Sequence, residues 1–194
     1  MTLIRATLRG LAVTALMNAT TLAGNRVYSP RAWNIGPELL PALEVFTPAD
    51  DKQSQGSVTA PAFTTTITLV IIGTVKTLAS DEAAPATVQT QGEQLEEQVL
   101  KAIINDYALT KELQQYPYVN TKTEISAEGD YIFYKFVTTI GLETYEPPDN
   151  FAPVVANAIN EVDLTLAKAD GTPLQVPDGH GGQRPLGETI VVPQ

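Results

Sequence analysis

The residues best placed by type and spacing to do chemistry are carboxylates. Glu93, Glu96 and Glu97 crowd the start of a stretch with helical periodicity. Side chains three and four apart share a helix face. Paired carboxylates on one face can exchange protons with a substrate or hold a divalent ion. No histidine stands near them, so a solvated acidic helix start is the better reading. A carboxylate-dependent hydrolase working through Glu93 and Glu97 is the enzyme alternative. Asp50 and Asp51 are adjacent acids in a polar stretch and suit weak ion binding or plain solvation. His180 is the chain's single histidine. It sits in Asp178-Gly179-His180-Gly181-Gly182, a loop composition, which gives an acid/base network little support. There is no cysteine, hence no disulfide framework and no thiolate metal site. No nucleophile elbow, phosphate-cradling glycine loop or dinucleotide fingerprint is present. The expectation is a protein without enzymatic activity, metal or cofactor.

Charge says more than motifs. Residues 1–37 carry four arginines (Arg5, Arg9, Arg26, Arg31) and no acid, whereas the remainder holds eight Lys/Arg and all 22 Asp/Glu. An acidic body argues against direct, sequence-specific nucleic-acid binding. A basic end on an acidic body suits head-to-tail contacts between identical subunits. No apolar run reaches the ~18 residues of a membrane span.

The elements that position these residues centre on Phe63–Lys76, the densest β-branched run in the chain. Such residues favour a pleated surface. The run reads as one long central strand, covered on one face at its start and on both by Val70-Ile71-Ile72. Before it, Ile4, Leu8, Leu11 and Ala15 trace one face of a helix that Thr2 can cap and Gly24 can end. That reading is preferred to a signal peptide, whose apolar core Arg9 and Gly10 interrupt. Arg26-Val27-Tyr28 reads as an edge strand limited by Pro30, with Trp33 as a packing residue. Leu43–Phe46 is a short strand. Residues 47–62 and 78–89 read as long polar loops that order on a partner, and they contain Asp50, Asp51, Lys52 and Glu82.

Thr90-Gln91-Gly92-Glu93 has capping-box form and opens a helix with the stripe Leu95, Val99, Leu100, Ile103, Ile104 and Tyr107. A second short helix spans 110–116. Strands at 118–127 and 131–143 form a hairpin turned by Glu128-Gly129-Asp130. A helical turn at 154–159 and a strand at 162–166 follow. The Gly/Pro-rich stretch 168–194 reads as an extended arm with a reach of up to ~90 Å. Its Ile190-Val191-Val192 suits addition to another sheet edge. The fold class expected is α+β: a mixed, mainly antiparallel sheet packed against two or three helices, with long loops and an extended C-terminal arm. The domains expected are 1–167 and the arm 168–194.

This order of parts, with Ala23-Gly24-Asn25-Arg26-Val27-Tyr28 followed by Leu40-Pro41-Ala42-Leu43-Glu44-Val45-Phe46, resembles the tail terminator proteins of long-tailed, lambda-type bacteriophages over residues 1–145. The resemblance implies a virion protein of the neck that forms a hexameric ring on the last ring of the tail tube. It implies as partners the tube protein, a head-completion or connector protein and copies of the chain itself, and no membrane. The expected interface residues are Arg5, Arg9, Arg26, Arg31, Asp50, Asp51, Lys52 and Glu82. Another neck component, such as a head–tail joining protein, is the near alternative. A secreted or periplasmic binding module is the remaining one.

Overall fold

The computed structural model describes residues 3–30, 35–58, 60–80, 82–151, 161–165, 172, 174–177, 183–185 and 187–191. Trp33, Thr2, His180 and the helical turn expected at 154–159 lie outside them. The chain divides into two compact units, Met1–Ala152 and Pro153–Gln194; the division expected from sequence was at 167/168.

The first unit is α+β. Its elements run α1 (Ile4–Asn18), β1 (Val27–Tyr28), β2 (Ala42–Ser54), β3 (Phe63–Leu78), α2 (Ala84–Asn105), α3 (Tyr107–Thr110), β4 (Val119–Glu128) and β5 (Tyr131–Glu146). The five strands form one sheet in the order β1-β2-β3-β5-β4. Only β1 and β2 are parallel; every other neighbouring pair is antiparallel. The β-branched run is the middle strand, as its composition indicates. Register fixes the faces, because partners across a ladder share a side. The odd residues Ile67, Leu69, Ile71 and Val75 of β3 are buried with Leu8, Ala12 and Leu16 of α1 and with Val88, Leu95, Val99 and Ile103 of α2. The even residues Val70 and Ile72 are only half-buried. The second half of β3 is therefore not covered on both faces. Its alternate residues face an open side of the sheet.

Two glycines allow close approach on the helix side. A Cβ on Gly73 would collide with the ring of Phe136, and one on Gly92 with the ring of Tyr134. Gly92 lets α2 settle on β5, and Gly73 leaves the hollow that the wholly buried Phe136 fills.

Several boundaries differ from those read in the sequence. β2 runs on to Ser54, so only residues 55–62 remain of the first expected loop. α2 starts at Ala84, not after Thr90, with a proline in its first turn, a position that needs no N–H donor. Thr90 sits inside the helix, its Oγ1 donating to the Ala86 carbonyl at 2.9 Å. α1 ends at Asn18, and Thr20 takes the positive φ (49°) ahead of Gly24. The short helix α3 lies at Tyr107–Thr110 rather than 110–116. Asp106 caps it, accepting from the Leu109 N–H at 2.8 Å. Asp106→Ala is expected to cost about 1 kcal/mol, read as a lower urea midpoint.

In the second unit, β6 (Glu161–Thr165) pairs with β9 (Gly187–Val191), and β7 (Gln175–Pro177) pairs with β8 (Gln183–Pro185), both antiparallel. Ile190 and Val191, read in the sequence as available to another sheet edge, thus pair with Val162 and Glu161 of the same chain.

Candidate functional site

The register of β2 changes between Phe46 and Ala49, where Thr47 and Pro48 form an extra step against β3. Before this bulge, odd residues of β2 face the helices; after it, even residues do. Asp50 and Lys52 therefore lie on the helix side, opposite Ile67 and Thr65. Asp51 lies on the open side and is exposed.

Beyond the bulge the core gives way to polar groups. Glu146, at the end of β5, is buried with only 4% of its surface exposed. Lys52 Nζ pairs with its carboxylate, and the Thr65 hydroxyl donates to the same oxygen at 2.5 Å. Lys52 Nζ also lies 3.9 Å from Asp50 Oδ2, and Arg5 Nη1 reaches Asp50 Oδ1 at 3.3 Å. Arg5, Asp50, Lys52 and Glu146 form one chain of alternating charge that fastens the α1 terminus to the β2–β3 hairpin and to β5. A buried carboxylate needs such partners, because desolvation penalises its charge.

Of the expected interface residues, the structure brings Arg5, Asp50 and Lys52 together within one subunit. Arg9 donates from Nη1 to Thr47 Oγ1 at 3.2 Å, at the bulge. Arg26 is used locally, Nε donating to the Pro41 carbonyl at 2.7 Å and Nη2 to Leu22 O at 3.4 Å. Asp51 and Glu82 are exposed, Glu82 in the turn before α2. Arg31 lies outside the described residues. Sequence reasoning missed Glu146, Thr65 and Thr47. Glu146 stands 94 residues from Lys52, and no local pattern couples them.

The glutamates singled out for chemistry sit along α2. Glu97 pairs with Lys101 one turn on at 2.6 Å, and that cation holds its carboxyl below the usual range. Gln89 donates to Glu93 at 2.8 Å. Tyr134, under the helix, is pushed up by burial first and then by the Glu96 carboxylate. Among the described residues no group of three or more His, Asp or Glu side chains is placed to hold a metal, and no helix is long and apolar enough to cross a membrane.

Among the described residues, two exposed surfaces besides the sheet edges suit contact. The open face carries a hollow of about 380 Å³ between Ile72 and Thr74 of β3, Phe133 and Lys135 of β5, and Glu44 of β2. Farther along that face, Tyr118 lies over Gly141 and shares a 2.9 Å hydrogen bond with Thr68. The second surface is the tip of the β2–β3 hairpin. Its outer stretch is polar and exposed, and Val58 near the tip is 99% exposed.

No family model matches the chain, and no curated protein matches it.

Proposed function

We propose that this chain is a virion structural protein of a phage neck, which caps the tail tube as a ring, ends tube polymerisation and docks the head-completion or connector protein. The observation that carries the reading is the exposed tip of the β2–β3 hairpin, on a sheet backed by α1 and α2, in an element order that resembles that of the lambda-type terminators. A tip exposed from Asp51 to Val58, with Val58 its apolar residue, is suited to seating on a ring of other subunits. The chain acts by fitting surfaces, not by transforming a substrate, and its workplace is the virion.

The test adds purified protein to polymerising tail-tube subunits and measures tube length by electron microscopy. The expected result is arrested growth with one extra ring of density at the tube end. Tubes that keep growing beside a strictly monomeric protein would sink the proposal. Deleting residues 55–60 from the hairpin tip is expected to abolish capping while leaving the far-ultraviolet circular dichroism unchanged.

A further inference from the structure

The sheet has two unpaired edges, and they match each other. β4 closes one end of the strand order. At the other end β1 covers only Leu43 and Glu44 of β2. Among the described residues nothing pairs with β4 on its outer side or with β2 beyond its bulge. A ten-residue edge strand is a template for another strand unless something covers it.

The hydrogen bonds say which groups point outward. The Gly141 N–H donates to the Tyr118 carbonyl at 2.9 Å, and the register then steps through Val119↔Ile140. Bonded and non-bonded pairs alternate along an antiparallel ladder. Asn120, Lys122 and Glu124 therefore bond to β5, and the peptide groups of Val119, Thr121, Thr123 and Ile125 face away from it. In β2, the Gln55 N–H donates to the Ala62 carbonyl at 2.8 Å, followed by Ser54↔Phe63. By the same alternation Asp51 and Gln53 bond to β3, and Asp50, Lys52 and Ser54 present their peptide groups outward.

Resting on the ring reading above, we propose that β4 of one subunit pairs antiparallel with the Ala49–Ser54 edge of β2 in the next copy. Three observations choose this occupant. First, β4 runs opposite to β2 in the subunit's own sheet, as three successive antiparallel pairings require. A neighbour related by rotation about an axis along the strands then meets β4 in the antiparallel sense, and the operation repeats until it closes. Second, the outward peptide groups on both edges belong to residues whose side chains face the helices. The joined sheet thus keeps every helix on one side. The neighbour's α1, which packs on β2 and exposes Leu3 at its start, is brought over Val119 and Ile125, exposed at 42% and 47%. Third, charge selects the register. Lys122 opposite Asp51 joins unlike charges on the open face and sets Thr121 against Lys52 and Thr123 against Asp50. A shift of two residues one way sets Glu124 against Asp51, like charges that oppose pairing; the other way leaves Lys122 facing Ala49.

The alternation supplies a selective test. Thr123→Pro removes an N–H that no β5 carbonyl uses, so the subunit should keep its circular dichroism while losing the ring by native mass spectrometry. The chain has no cysteine, so engineered pairs can be read without background. Lys122 and Asp51 would form a non-bonded pair in the new ladder, where Cβ atoms approach closely enough for a disulfide. Oxidised Lys122→Cys/Asp51→Cys protein is expected to give a ladder of covalent oligomers on a non-reducing gel, and each single variant only monomer. A Lys122→Cys single variant that cross-links to dimer would mean β4 pairs with its own copy, and the proposal fails. A wild-type ring that caps tubes and survives Thr123→Pro overturns the edge pairing alone. A monomeric wild type that leaves tubes uncapped overturns the ring reading as well.

Discussion

Gly73→Val is expected to destabilise the protein by about 3 kcal/mol, at the upper end for overpacking a well-filled core. The position lies mid-sheet, and an added Cβ meets the ring of Phe136, itself wholly buried. Neither partner has room to yield. The ring is held between β3 and the helices, and the glycine backbone is paired on both sides, with Leu43 and with Phe136. Urea unfolding should show a lower midpoint with an unchanged slope. Phe136→Leu in the same chain should recover part of the loss, because it vacates some of the contested volume. Gly10 is the control. Nothing lies within 4 Å of a Cβ there, and the residue is inside α1. Gly10→Ala should therefore stabilise by about 0.5–1 kcal/mol. Equal midpoints for the two variants would refute the packing argument.

Lys52→Met should cost about 3 kcal/mol, the lower end for breaking a buried ion pair by removing one member. The lower end applies because the lysine side chain is 32% exposed, whereas the Glu146 side chain is only 5% exposed. The variant leaves a buried carboxylate with, among the described residues, the Thr65 hydroxyl as its remaining direct partner. The cost should fall sharply in Lys52→Met/Glu146→Met, where no charge is left to desolvate. A double-mutant cycle monitored by thermal unfolding measures this coupling. If Lys52→Met proved as stable as wild type, Lys52 would be an ordinary surface cation. Arg5 and Asp50, at the more exposed end of the chain of charges, should contribute far less, in the range of surface pairs.

Much of the fold could be read from the sequence because it is written locally. The Thr/Val/Ile run gave β3, the stripe Leu95-Val99-Ile103 gave α2, and Gly129, at φ 59°, gave the turn between β4 and β5. What escaped was written across distance. Residues 49–54 contain no apolar residue beyond Ala49 and looked like loop. They form strand because Thr64–Thr68 pair with them and because Lys52 meets a glutamate contributed by another hairpin. The helix starts earlier than the capping-box pattern indicates: Pro85 and the alanines beside it resemble loop composition, although proline fits a first helical turn. The expected interface residues follow from charge and from loop composition. Charge marked Arg5, Asp50 and Lys52 as interacting, but it could not say that they interact with one another. The free edges of β2 and β4 were not legible at all, since an edge exists only once strand order is known.

The extra step at Thr47–Pro48 also bears on which length variants this chain could accept. Losing one residue there would leave Leu43–Phe46 and Ala49–Ser54 against their present partners and simply regularise the ladder. Losing one nearer the tip, at Gln53, would instead let that slack be taken up so that Asp50 and Asp51 exchange sides. The acid now held beside Arg5 would move to the outer face. Natural relatives differing by one residue in this strand should therefore carry the deletion at the slack point, or carry a compensating swap of acid and partner.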